Sequence, residues 1–384
     1  MRLMHTSDWH LGRILHGVHL TEDQAHVLDQ FVALVQDSQV DAVLIAGDVY
    51  DRAVPPPEAV ALLDESLARL VRGLQVPVLI IAGNHDSPTR LAFASRLLED
   101  QGLHVVGALP STPRCIVIRD QHGPVYVYAL PYAEPAVVRA SLANSALYDH
   151  ETAMQALLTQ VRAAHPDGAR AVLMTHAFVL GGAESESERP LSVGGAGTVP
   201  ATCFAGFHYV ALGHLHRPQT VGGAAIHYAG SLLKYSFAEA NHTKSVSLVD
   251  IDADGRCTVE RIPLTPRREV RCLTGTLAEI LTGPQAGESR DDYLMVTLLD
   301  REPILDAMGK LRSVYPNVLH LIRPQYTPTG DGYSQRGDHR RLSDVELFNA
   351  FFEQMTGEVL NPAQAEAYTA VIETLRQGER EATV

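Results

Sequence analysis

Apolar residues along this chain fall into short unbroken runs, and each run stops on polar side chains. Residues 2–6 (RLMHT) lead into Asp8-Trp9-His10, and 42–46 (AVLIA) into Gly47-Asp48. Residues 78–82 (VLIIA) stop at Gly83-Asn84-His85-Asp86, 171–174 (AVLM) at Thr175-His176, and 209–212 (YVAL) at Gly213-His214-Leu215-His216. Runs of this kind are what strands covered on both faces require. Between the first runs the period changes. Val27, Leu28, Phe31, Leu34 and Val35 recur at helical spacing, after a Thr21-Glu22-Asp23-Gln24 stretch with the form of a capping box. Residues 58–74 follow Pro55-Pro56-Pro57 and read as a second helix. Further strands are predicted over 115–119, 125–129, 225–228 and 244–251. The alternation of strand and helix predicts an α/β sandwich flanked by helices.

Near Arg268 the pattern shifts. Strands over 270–273, 293–299 and 318–322, with helices over 277–281 and 304–314, predict a small α+β domain. Residues 327–340 are rich in Gly, Asp, Ser and Pro and read as a linker. Two amphipathic helices close the chain. The first carries Leu347, Phe348, Phe351, Phe352 and Met355 on one face and stops at Gly357. The second starts at Asn361-Pro362 and carries Tyr368, Val371, Ile372 and Leu375. An apolar, aromatic stripe after a polar linker favours docking on a partner. The expected organisation is a principal domain over 1–267, a small capping domain over 268–326, a linker over 327–342 and a helical partner-binding segment over 343–384.

Composition narrows the classes. With 46% hydrophobic and 20% charged residues among 384, this is an ordinary globular chain. No apolar run reaches the length of a membrane span, and the first residues lack the apolar region of a signal peptide, so no membrane role is expected. The four cysteines are scattered without a CxxC pair, which speaks against a thiolate zinc site and a disulfide framework and fits the cytoplasm. A net charge of −14 argues against broad nonspecific binding to nucleic acid. A polyanionic substrate would need bound cations, a local basic patch or help from a partner.

The chemistry sits at the strand ends. In open α/β sheets the carboxyl ends of strands line the binding crevice, and here five of them carry Asp, His or Asn. Buried carboxylates and imidazoles are costly unless they bind cations. Nitrogen and oxygen donors without thiolate suit borderline or hard divalent ions such as Mn²⁺, with Fe²⁺ or Zn²⁺ also compatible. A carboxylate shared by two ions would hold them about 3.5–4 Å apart, a spacing used in phosphoryl chemistry. His214 and His216 straddle Leu215, so on an extended segment both point to one face. No G-x-x-x-x-G-K-[ST] loop is present, so ATP hydrolysis is not expected of this chain.

The ordered set DxH, GD, GNHD, H and GHLH resembles the calcineurin-like binuclear metallophosphoesterases. "HTSDWHLGR" (5–13), "GDVYDR" (47–52), "GHLHRPQ" (213–219), "GSLLKYSFAEANHTKSVSLVDI" (230–251) and "ELFNAFFEQMTGEVL" (346–360) resemble, more narrowly, the SbcD family of nuclease subunits. The resemblance implies that Asp8, His10, Asp48 and His216 hold one ion, and that Asp48, Asn84, His176 and His214 hold the other, with Asp48 bridging. His85 is implied to be catalytic rather than a ligand, with Asp86 orienting its ring. Asp51 has no assigned role, and Lys234 and Tyr235 are possible contacts to DNA phosphate. The implied function is a Mn²⁺-dependent DNA nuclease, an exonuclease on duplex DNA that also cuts single strands or hairpins. The implied partners are a coiled-coil SbcC-like ATPase, DNA and a second copy of the chain in a heterotetramer. The helices from Glu58 and from Thr89 are candidates for the contact between copies. The alternative is a metallophosphatase or cyclic-nucleotide phosphodiesterase, because the same metal core serves both.

Overall fold

In a computed structural model of the protein the apolar runs become strands; residues 1–188, 197–324, 348–349, 352–353, 356, 359–369 and 371 are described. Arg2–Thr6, Ala42–Ile45, Val78–Ile81 and Leu103–Val106 lie side by side in parallel. Ser245–Ile251 pairs antiparallel with Arg2–Thr6, and Cys257–Pro263 completes a six-stranded sheet. A second six-stranded sheet runs Gln219–Thr220, Ile226–Tyr228, Tyr209–Gly213, Arg170–His176, Gly123–Leu130, Arg114–Asp120. Its four inner strands are parallel.

The two sheets share one core. Leu3, Leu44, Leu79 and Ile81 of the first pack with Val125, Val127, Val172, Met174 and Ala211 of the second. Alternate residues of the second sheet, Tyr128, Leu173, Val210 and Leu212, face the other way, against Leu157, Leu158 and Val161 of the helix His150–Ala164. Burial on both faces is why these strands read as unbroken apolar runs. His5 makes polar contacts across the shared core. His5 Nδ1 lies 2.8 Å from Tyr209 Oη and its Nε2 3.2 Å from Leu212 O. Burial lowers this imidazole to about 3, so it packs as a neutral, hydrogen-bonded ring.

Two local expectations need correction. The helix Thr21–Ser38 begins where predicted, but no side chain caps it. Gln24 is drawn elsewhere: it accepts from Gly12 N (3.1 Å) and donates to the carbonyls of His10 (2.7 Å) and Trp9 (3.2 Å). A fully buried amide does more by satisfying three loop groups than by capping one exposed amide. The helix expected over 58–74 runs as Pro57–Leu67 and continues as a π-helical turn, Ala68–Gly73.

The chain divides into Met1–Arg271 and Cys272–Val384. The strand Val270–Gly275 begins at that division and is followed in its sheet by Tyr293–Leu298 and Val318–Ile322. This unit has its own core of Leu294, Val296, Leu311, Tyr315 and Val318. A complete capping box, Thr276 with Glu279, starts its first helix. The expected linker, 327–342, and most of the 343–384 segment lie outside the described residues. Within that segment the ring of Phe348 stacks on Tyr368, centroids 3.9 Å apart. Among the described residues no helix is long and apolar enough to cross a membrane.

One buried ion pair staples the second sheet. Arg170 reaches Asp120 with both terminal nitrogens, at 2.9 and 2.6 Å, and the side chains are 6% and 7% exposed. The guanidinium holds the Asp120 carboxyl well below its ordinary range. A depressed folded-state pKa contributes stability that is complete above the unfolded value of about 4 and is lost as pH falls below it. Asp120→Asn is therefore expected to lower unfolding free energy by about 3 kcal/mol at neutral pH. It should also flatten the loss of stability below about pH 4. Urea unfolding across that range checks both; an unchanged acid limb would contradict the assignment.

Candidate metal centre

The strand ends named above meet at one edge of the shared core. Asp8 N donates to Gly47 O and His10 N to Asp48 O, both at 3.0 Å, which ties the first two loops together. His176 Nδ1 meets Ala46 O at 2.9 Å, so the second sheet is pinned to the first at that carbonyl. Glycines permit the approach. A Cβ on Gly213 would stand 1.9 Å from Ala46 O, and one on Gly83 would stand 2.1 Å from Asp48 Oδ1. Asp8, His10, Asp48 and His214 adopt positive φ (53°, 44°, 49° and 110°). Side chains other than glycine hold such angles at about 1–3 kcal/mol each, and they cluster where function needs them.

The side chains predicted as ligands are brought together. Asp8, His10 and His216 form one group whose donor atoms all lie within 4.8 Å of one another, and Asp8, Asp48 and His176 form another. Asp48 Oδ2 lies between them, 3.7 Å from His10 Nε2, 3.5 Å from His176 Nε2 and 4.0 Å from His85 Nε2. Asn84 Oδ1 is 2.9 Å from His176 Nε2. The His214 ring stacks edgewise on His176, centroids 5.4 Å apart, and its backbone N–H donates to Asp8 Oδ1 at 3.0 Å. Asp8, His10, Asp48, His176, His214 and His216 are all buried.

Hydrogen bonds on the far side of each ring set its tautomer. The Nδ1 of His176 faces a carbonyl, which only accepts, so that nitrogen carries the proton. Its Nε2 then points at two oxygens, those of Asn84 and Asp48. Nδ1 of His216 faces Ser187 Oγ (2.7 Å) and Glu239 (3.4 Å), and Nδ1 of His10 faces Asp51 (3.5 Å). His216 Nε2 is thereby left with a lone pair and lies 3.1 Å from His10 Nε2, a hydrogen bond when His10 carries its proton there. A cation taking a lone pair from each ring would replace that bond. The charges tell the same story. Burial and the neighbouring Asp48 push Asp8 up to about 8. Burial opposes charge on His176 too, but Asp48 overrides it and raises the ring to about 9. In this arrangement protons stand in for missing positive charge. The donor set therefore fits divalent cations.

Other predicted residues have different surroundings. His85 is buried, and its Nδ1 meets the carbonyl of Asp51 at 2.8 Å. The expectation that Asp86 orients this ring needs correction. The Asp86 carboxylate accepts from the backbone N–H groups of Val49 (3.1 Å), Tyr50 (2.9 Å) and Gly83 (2.9 Å), and so clamps the Asp48 and Asn84 loops together. Burial and Asp48 raise it to about 6, against those three amides. Tyr235, read as a possible DNA contact, is 1% exposed and donates to Trp9 O. Lys234 Nζ is engaged by Ala240 O at 2.6 Å and Glu269 at 2.7 Å.

Sequence reasoning missed the support behind His216. Buried Glu239 takes hydrogen bonds from Ser187 and Lys244, and Lys244 also holds His216 O at 2.8 Å. Burial would raise Glu239, yet Lys244 and His216 keep it below the ordinary carboxylate range. Both residues lie in the 230–251 stretch, and no local pattern there marks them as buried.

Fold and site together define a metal-dependent phosphoester hydrolase. The family model for calcineurin-like phosphoesterases matches residues 1–218, more than half of the chain, and the chain belongs to that family. Within it the chain belongs with the SbcD proteins. It is 32% identical over 369 residues to the SbcD component of the nuclease SbcCD from Staphylococcus epidermidis, covering 95% of this chain and 96% of the relative. A further model, described as the type 5 capsule protein repressor C-terminal domain, matches residues 266–356. Among solved structures, a dimetal phosphatase from Danio rerio aligns with 69% of this chain and 96% of its own, at 14% identity and a TM-score of 0.42. A calcineurin-like phosphoesterase from Bacillus subtilis aligns with 69% of this chain and 90% of its own, at 14% identity and a TM-score of 0.38.

Proposed function

We propose that this chain is the Mn²⁺-dependent nuclease subunit of an SbcC–SbcD-type complex. It acts as a 3'–5' exonuclease on duplex DNA and an endonuclease on single strands and hairpins, in cytoplasmic DNA repair and recombination. The observation that carries the reading is the pair of donor groups beside Asp48, assembled from four strand ends, with Asn84 of a fifth 2.9 Å from His176 Nε2. The S. epidermidis relative, a nuclease subunit by name and matched over 96% of its length, supports a nucleic acid as the substrate. Asp8, His10, Asp48 and His216 would hold one cation, and Asp48, Asn84, His176 and His214 the other. Bound there, the cations would supply Lewis-acid charge to the phosphoryl oxygens and lower the pKa of water.

The remaining work falls to the protein. With Nδ1 held by Asp51 O, His85 turns Nε2 toward the ligand cluster, where a protonated ring can steady the phosphoryl group or give its proton to the leaving oxygen. Asp86 fixes the separation of the loops on either side. An acidic chain gains its attraction for DNA from these cations and from its partner, an SbcC-like coiled-coil ATPase docked on the 343–384 segment. A homodimer within the heterotetramer is supported by exposed apolar side chains where the contact is expected: Val60 (45%), Phe93 (84%) and Leu97 (81%).

The test is cleavage with Mn²⁺ of end-labelled duplex DNA, with and without the ATPase partner, beside bis-p-nitrophenyl phosphate. Hydrolysis of both ester and DNA is expected, with the partner stimulating only the latter. Turnover of the small ester with none of any DNA would instead make the chain a metallophosphatase or cyclic-nucleotide phosphodiesterase.

A further inference from the structure

We propose that Arg52 and Arg217 grip backbone phosphates of the DNA on either side of the metal centre. The inference rests on the nuclease reading above and deepens it, by naming side chains that hold the substrate strand without holding a cation.

The chain carries 31 Lys and Arg against 45 Asp and Glu, so attraction for a polyanion beyond that of bound cations and a partner has to be local. Several basic side chains near the ligands are engaged within the fold. Arg13 donates to Asp51 at 2.9 Å and lies over the Tyr235 ring. Lys234 is held by Ala240 O and Glu269, and Lys244 is buried against Glu239. Arg52 and Arg217 differ. Both are exposed, and neither guanidinium has a hydrogen bond or ion pair among the described residues.

The backbone places both beside the site. Asp51 O lies 2.8 Å from His85 Nδ1, and Arg52 is the next residue, so its Cα stands within about 7 Å of that ring nitrogen. Arg217 directly follows His216, whose carbonyl accepts from Lys244 at 2.8 Å and from Ser231 N at 3.2 Å, which fixes that end of the loop. Between the two arginines runs a chain of buried ring contacts. His85 meets His10 with centroids 4.7 Å apart, and His10 meets His216 at 4.9 Å. An arginine thus stands next to each end of a line of side chains assigned to the phosphoryl group and its cations. This arrangement suits a strand whose scissile phosphate lies at the centre and whose neighbouring phosphates lie beyond it. A guanidinium is charged at any working pH, and its fork matches phosphate oxygens. Contacts of this kind fix the register of a nucleic acid without reading its sequence.

The test is binding of a fluorescein-labelled duplex with cleavage-resistant phosphorothioate linkages to the full chain with Mn²⁺, read by anisotropy between about 50 and 200 mM salt. Arg52→Gln and Arg217→Gln are each expected to weaken binding about tenfold at low salt, by the same factor for duplexes of unrelated sequence. Each should also flatten the slope of log affinity against log salt by about 0.9. Arg52→Lys and Arg217→Lys keep the charge and should restore the slope. Arg119, also exposed, lies level with Pro124 near the Arg170 end of the second sheet, about 20 Å along the strands from His176. Arg119→Gln should leave affinity and slope unchanged. Calorimetric titration with Mn²⁺ should match wild type in every variant. An unchanged slope in both glutamine variants, or an equal loss in Arg119→Gln, would overturn the proposal. So would lost Mn²⁺ affinity in Arg52→Gln and Arg217→Gln, which would make these arginines supports of the metal site. A wild-type chain that turns over bis-p-nitrophenyl phosphate but binds no duplex would remove the nuclease reading itself, and this proposal with it.

Discussion

His85→Ala is expected to keep its cations and lose cleavage. Removing a positioned acid or charge-stabilising group costs about 10²–10⁴-fold in rate, or about 3–5 kcal/mol of transition-state stabilisation. The ring is held from behind by a main-chain carbonyl, not by a ligand side chain, so its loss leaves the donor atoms around Asp48 in place. The His85 backbone N–H, which donates to Asp48 Oδ1 at 2.8 Å, also survives the substitution. The comparison is Mn²⁺ content by elemental analysis against single-turnover cleavage of duplex DNA. Full metal content with the rate lost supports the role. Loss of metal along with rate would make His85 a support for the ligands.

Asp48→Asn is expected to do the reverse and empty the site. Its Oδ2 lies within 4.0 Å of three imidazole nitrogens, and Oδ1 is already bonded to the His85 amide, so no neighbour can take its place. Substitution of the shared carboxylate by a neutral amide should lower Mn²⁺ affinity by more than about 100-fold, beyond the range for groups that merely support a ligand. Activity should fall by about 10³-fold or more, since the charge that the ions bring is worth several kcal/mol. Calorimetric titration with Mn²⁺ measures the first and ester hydrolysis the second. Two ions retained at wild-type affinity would exclude Asp48 as the bridge.

The site was legible because it breaks the strand pattern. An apolar run ending on Asp, His or Asn is unremarkable once, but the same ending on adjacent parallel strands brings those side chains to one edge. What the pattern could not carry was partnership across long separations. Gln24 looks like a helix cap from its neighbours in sequence, yet it serves the Trp9–Gly12 loop because a buried amide takes the partners that the fold supplies. Asp86 looked like the partner of the adjacent His85, but three backbone amides from two loops claim its oxygens. Glu239 and Lys244 are buried behind His216, a placement that no local pattern in the sequence signals. The edge strand Cys257–Pro263 was missed because its half-exposed residues give no unbroken apolar run. The helix His150–Ala164 was missed as well, although Asp149 caps its first turn by accepting from Thr152 N.

The most direct measurement is anomalous diffraction from a manganese-soaked crystal of the wild-type chain. Two peaks are expected, one among Asp8, His10 and His216 and one beside His176 and Asn84, with Asp48 touching both. A single peak elsewhere, or none at full soaking, would contradict the paired-cation centre and with it the nuclease assignment.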